Sequence, residues 1–166
     1  MLDFITSKIA IVMAAVFILL VALGMYEIQN NAIEEEELEN IANKISATID
    51  EISAMEASTK VNLTFEDLGE GIYLKPKVGD DTYEIRITPN LVFIDQNGRG
   101  TYSHLITAVH LWKPDKNGYN ATELEYLDNN RELKIVSGDK VVIIVERTQI
   151  EAMGLLEHHT FVYTSQ

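Results

Sequence analysis

Residues 9–26 read IAIVMAAVFILLVALGMY, and residues 27–55 continue as EIQNNAIEEEELENIANKISATIDEISAM. The first stretch carries no charge. As a helix rising about 1.5 Å per residue it spans roughly 27 Å, close to the hydrocarbon thickness of a bilayer. Phe4 and Ile5 lengthen it if Lys8 snorkels. A buried core helix of this length would show a polar face, and none is visible. A cleaved secretory signal is the rival reading, with Ala22-Leu23-Gly24 as its cleavage site, but only Lys8 beside Asp3 stands in its basic region. The segment therefore reads as a membrane span. Ile9, Ile11, Val12, Val16, Phe17, Leu19, Leu20 and Leu23 are the residues expected to face lipid or neighbouring helices.

The second stretch changes character without a break. No Gly or Pro falls between Met25 and Ser58, and Leu38, Ile41, Ile45, Ile49, Ile52 and Met55 recur every three or four residues. That spacing puts them on one helix face, with Glu36, Glu39, Asn40, Asn43, Lys44, Asp50 and Glu51 on the other. The expectation is one helix of about 55 residues and about 80 Å, transmembrane first and amphipathic after, its apolar stripe packed on protein as a stalk.

Past Ser58 the period becomes two. Val61, Leu63 and Phe65 alternate with Asn62 and Thr64, and Tyr83, Ile85 and Ile87 with Glu84 and Arg86, as half-buried strands do. Further strands are predicted at 72–78, 91–95, 101–112, 132–137, 140–148 and 159–164. Val141 to Val145 is apolar on both faces and so belongs in the middle of a sheet, while Pro76 and Pro89 belong at strand ends. Gly79-Asp80-Asp81, Asn97-Gly98, Asn117-Gly118, Asn129-Asn130 and Gly138-Asp139 supply turns. The fold class that follows is α+β: one long N-terminal helix, then an all-β, antiparallel, sandwich-like domain. The boundaries are 1–58 for the membrane and stalk helix and 59–166 for an extracytoplasmic β-sandwich.

Composition excludes several functions. The 166 residues hold 13 Lys and Arg against 26 Asp and Glu, a net charge of −13, which repels nucleic-acid phosphates. No cysteine is present, so disulfides, thiol nucleophiles and Cys-bound metals are ruled out. Of the four histidines, His104 and His110 are read on one strand face about 20 Å apart, too far to share an ion, and His158-His159 point to opposite faces. Asp95-Gln96-Asn97-Gly98 and Asp115-Lys116-Asn117-Gly118 share a pattern that fits a tight hairpin turn better than a calcium loop. Neither a nucleophile elbow nor a phosphate loop occurs. The expectation is a protein that is not an enzyme, with no cofactor, no metal and no small-molecule substrate. Asn62-Leu63-Thr64 and Asn120-Ala121-Thr122 are glycosylation sequons at Asn62 and Asn120.

The helix from Phe4 to Met55, followed by Ile72-Tyr73-Leu74, Tyr83-Glu84-Ile85-Arg86-Ile87 and Leu91-Val92-Phe93-Ile94, resembles the archaeal type IV pilin-like proteins. That resemblance implies a β-sandwich head and a helix that leaves the membrane to pack against its copies in a filament core. Met1-Leu2-Asp3-Phe4 lacks the basic residues and small residue of a class III prepilin leader, and residue 5 is Ile where many bacterial pilins have glutamate. Two forms stay open: a leader outside this sequence, or an N-terminus kept as an ordinary anchor. The functional expectation is a major or minor subunit of an archaeal type IV-like surface filament. The alternative is a permanently anchored binding or scaffold protein touching the cell envelope, such as a stator. In either case the partners are membrane lipid and a homo- or hetero-oligomer formed through the helix. Lys8 before the span and Glu27 and Glu34 to Glu37 after it put the C-terminal domain outside the cell membrane or in an extracellular filament.

Overall fold

A computed structural model describes residues 2–66, 71–129, 132–152 and 154–165, with the backbone alone described at residues 2–7, 9 and 10. Helix α1 runs uninterrupted over Leu2–Ala54, as expected where no Gly or Pro intervenes after Gly24. The chain divides into two compact units, Met1–Glu36 and Glu37–Gln166, so the division falls inside this helix and not at its end.

The second unit places the later part of α1 in its own core. Leu38, Ile41, Ala42, Ile45, Ile49 and Ile52 are buried, and Met55 packs against them partly covered. These are the residues the three-or-four spacing put on one face. Leu63, Ile143, Val145 and Val162 meet them from one sheet and Ile85, Ile87, Val92, Ile94 and Ile135 from another, in one hydrophobic cluster. Polar ties fix the helix in place: Ser46 and Ser103 share a hydroxyl hydrogen bond of 2.7 Å, the Ile106 amide donates to Asp50 at 2.9 Å, and Lys44 Nζ donates to the Tyr73 carbonyl at 2.8 Å.

The strands are β1 (Thr59–Thr64), β2 (Ile72–Tyr73), β3 (Glu84–Thr88), β4 (Leu91–Gln96), β5 (Arg99–His104), β6 (Gly118–Tyr119), β7 (Leu133–Val136), β8 (Val142–Ala152) and β9 (Leu155–Ser165), with a short helix α2 at Ala121–Leu127. One sheet has the order β5-β4-β3-β7, all antiparallel. The other is built on β8, flanked by β1 and β9, with β2 and β6 at its margins. The doubly apolar run Val141 to Val145 thus enters the central strand, with Ile143 and Val145 facing one cluster and Ile144 another.

The α+β architecture is the expected one, a long N-terminal helix followed by β-sheets. Within it the second sheet is mixed, because β2 pairs with β1 and β6 with β8 in parallel, a short helix α2 stands among the strands, and several strand ends are corrected. The strand expected over 72–78 stops at Tyr73; one further bond, from the Leu74 amide to Thr64 O, precedes Lys75-Pro76, where proline has no donor to continue the ladder. The strand expected over 101–112 ends at His104. Beyond it the chain crosses between sheets with Leu105, Val109 and Leu111 buried and Ile106 exposed. A crossing segment that turns alternate apolar residues inward imitates strand periodicity. The hairpin β8–β9 is longer than predicted at its distal end, where Ile150 and Ala152 are also buried.

Asn97 (φ 54°) and Gly98 (φ 82°) make the β4–β5 turn left-handed at both central positions, and the Gly98 amide donates to Asp95 Oδ2 at 3.3 Å. The matching Asp115-Lys116-Asn117-Gly118 is no hairpin. It leads into β6, with Tyr119 Oη donating to Asp115 Oδ1 at 2.8 Å and accepting from the Asp115 and Lys116 amides. Asn129-Asn130 falls partly outside the described residues.

Candidate functional site

Two regions stand out, one in each unit. In the first, α1 offers an apolar surface that its own unit leaves uncovered. Ile11, Val12, Val16, Phe17, Leu19, Leu20 and Leu23 range from 48% exposed at Val16 to 68% at Phe17. Met25, Ile28 and Ile33 continue the exposure. The side chain of Ile9 lies outside the described residues. This is the one helix among the described residues long and apolar enough to cross a membrane. A Cβ added at Gly24 would meet nothing within 4 Å, so packing within the chain does not require glycine there.

The second region lies on the face of β8–β9 turned away from the main core. Trp112, Tyr119, Ile144, Ile150, Ala152, Phe161 and Tyr163 form a separate buried cluster, with Leu124 and Leu127 of α2 packed on it. Asn120 caps α2: its Oδ1 accepts from the Glu123 amide at 2.9 Å while Glu123 Oε2 accepts from the Asn120 amide at 3.0 Å. Lys116 Nζ closes on Glu123 Oε1 at 2.7 Å, which holds the Lys116 pKa above and the Glu123 pKa below their ordinary values.

Polar groups stitch this cover to the sheet. His110 joins the edge of β9 as a single parallel bridge, its amide donating to Thr160 O at 2.9 Å and its carbonyl accepting from the Val162 amide at 2.8 Å. Its ring stacks on Phe161, with centroids 5.1 Å apart. Asp128 Oδ1, at the end of α2, accepts from Trp112 Nε1 at 2.8 Å and from His110 Nδ1 at 2.7 Å. That fixes the neutral His110 tautomer, leaving Nε2 to accept from His159 Nδ1 at 2.9 Å. His159 Nε2 is buried without a hydrogen-bond partner, 3.8 Å from Glu157 Oε2. Burial, and then the neighbouring His110, push the His159 pKa below its ordinary 6.5. On the same face Tyr163 Oη donates to Glu146, and burial followed by that bond raises the phenol pKa above its ordinary value.

The strand expected to carry both His104 and His110 is therefore corrected. His104 and His110 do not share a strand: His104 packs edge-on against Tyr102, whereas His110 meets His159. His110 left the expected strand with the crossing segment, and no periodicity in the sequence could have joined it to residue 159. Among the described residues, no three His, Asp or Glu side chains converge as a metal site requires. The sequon asparagines are both exposed, Asn62 on β1 and Asn120 at the α2 cap.

No family model, curated protein or solved structure matches this chain. Its described residues offer an uncovered apolar helix and an Asp128–His110–His159 chain that links the end of α2 to β9.

Proposed function

We propose that the protein is anchored by residues 9–26 of α1, with its C-terminal head outside the cytoplasm, and serves as a structural subunit of an archaeal type IV-like surface filament. One observation carries this reading: a single unbroken helix has two opposite surface regimes. From Ile11 to Ile33 its large apolar side chains are exposed, whereas from Leu38 to Ile52 its apolar stripe is sealed in the head. The large apolar side chains of the sealed part are already covered by the head. The exposed part needs a cover from outside the chain, which lipid supplies in a membrane and sister helices supply in a filament.

The energetics favour insertion first. Each Leu, Ile, Val or Phe near the middle of a span contributes about 0.3 to 0.6 kcal/mol toward the membrane, and residues 11–23 hold many of them. Lipid tails are as apolar as these side chains, so moving into a helix bundle costs little in solvation. Ala14, Ala15, Ala22 and Gly24 let backbones approach closely there. Acidic residues concentrated after the span and Lys8 before it favour the proposed orientation.

Shearing surface filaments from cells and identifying their subunits by mass spectrometry tests the proposal. Recovery of the chain in the sheared fraction is the expected result. A chain that stays wholly with the membranes would overturn filament assembly and leave α1 as the permanent anchor of an extracytoplasmic scaffold.

A further inference from the structure

The cover over the second cluster is tied to the sheet at both ends of segment 110–119: β6 pairs with β8, and His110 meets β9 through two backbone bonds and its ring contact with His159. The end of α2 joins at Asp128, which accepts from His110 and Trp112. With one proton between the facing nitrogens the contact is a hydrogen bond. A first added proton can be accommodated, because either ring nitrogen of the pair can serve as acceptor and the Asp128 carboxylate lies against His110 Nδ1. A second leaves two N–H groups, both on cations, pointing at each other across 2.9 Å.

We propose that His110 and His159 form an acid-released latch, which holds α2 and segment 110–112 on the outer face of the β8–β9 hairpin at neutral pH and lets them lift, with the β6–β8 pairing kept, when both rings are protonated. The charges around the pair set its range. His110 from the crossing segment and Arg147 from β8 oppose the charge on His159; Glu157 from β9 itself and Asp128 from the end of α2 favour it. Burial adds to the opposition and is the largest influence, so the closed form takes its second proton below the ordinary imidazole range. The opened form, with His159 in water, titrates near 6.5. Between those two values the opened form binds more protons, so the closed form loses ground as pH falls below about 6.5 and the loss levels off once closed His159 also titrates. For the one extra proton, the opening constant rises by at most about tenfold per pH unit. What opening uncovers is apolar: Phe161 and Ile150, both fully buried in the closed head.

The protein contains one tryptophan, Trp112, and its indole N–H is part of the latch. Full-length protein in detergent micelles is titrated from pH 8 to pH 5, following the Trp112 emission maximum and amide exchange across residues 121–128. Wavelength is read instead of intensity because a protonated imidazole quenches indole directly. The expected result is a red shift with loss of α2 protection, centred below pH 6.5, while far-ultraviolet circular dichroism keeps the signal of the strands and α1. In His159→Asn an amide N–H stands near the position of Nδ1 and residue 159 no longer takes a proton, so the two facing cations cannot form and the acid transition disappears. His110→Asn, which keeps a donor toward Asp128, gives the same loss and carries the test if the first variant does not fold. A wild-type emission maximum that stays fixed down to pH 5 overturns the latch, and so does a variant that titrates like the wild type.

Discussion

Ser137 illustrates how a single hydroxyl can hold two distant turns. Buried in the head, it accepts from the Tyr83 amide at 2.8 Å and donates to the Pro76 carbonyl at 2.7 Å. Ser137→Ala strands a buried amide, so it is expected to cost about 1 to 3 kcal/mol, read as a lower urea midpoint with an unchanged slope. Asn120 makes a more local contribution. Asn120→Ala removes one side of the α2 capping box and is expected to cost about 0.5 to 2 kcal/mol, seen as faster amide exchange at Ala121 to Leu127. This cap is legible in the sequence: Asn120 with Glu123 three residues on, then Leu124 and Leu127 on one face, is a helix start that coincides with the sequon Asn120-Ala121-Thr122. Ser137 was not legible. Its partners lie at residues 76 and 83, and only the folded sheets bring them to it.

At the scale of elements, α1 and β8 carry the head. Each is apolar in a way that states its environment: α1 has a stripe at helical spacing from Leu38 to Ile52, and β8 has an unbroken run from Val142 to Val145 that needs cover on both faces. Both placements could be argued from residues alone. The misread elements are those whose pattern has two solutions. Leu105, Val109 and Leu111 satisfy an inward-facing alternation equally well as a strand or as a crossing between sheets, and only the bonds Leu105 N to Asn90 O and Val109 N to Pro89 O decide for the crossing. Because the helix stripe is part of the core, Ile49→Ala is expected to cost about 2 to 5 kcal/mol in head stability by chemical denaturation. A truncation that begins at Ala57 is expected to give a broad, non-cooperative melt, since it removes Leu38, Ile41, Ala42, Ile45, Ile49 and Ile52 from the cluster at once.

For the whole molecule, the informative residue is Gly24. It stands in a helix, where glycine costs roughly 0.5 to 1 kcal/mol relative to alanine, and nothing in the chain approaches its missing side chain. Gly24→Leu is therefore expected to leave membrane insertion and head stability intact, while reducing the recovery of sheared filaments if neighbouring helices pack against that position. Equal recovery from wild type and variant would show that no close helix contact is made at Gly24. The candidate span at residues 9–26 is legible because a bilayer selects on length and polarity, which a sequence displays directly. Assembly is a matter of surfaces on other molecules, and a single chain displays only its own half.

The shared core also orders events during synthesis. Leu38 and Val162 belong to one cluster, yet they stand far apart in the sequence, with every other strand between them. The stripe of α1 stays uncovered until β9 has been made and brought to it. Closing so long a loop is slow. If the chain is exported as proposed, the head gains this core only once β9 has followed α1 across. Loss of the last dozen residues would then do more than trim a strand: β8 would lose its full-length partner and the helix stripe part of its cover, leaving an apolar surface that quality-control proteases recognise.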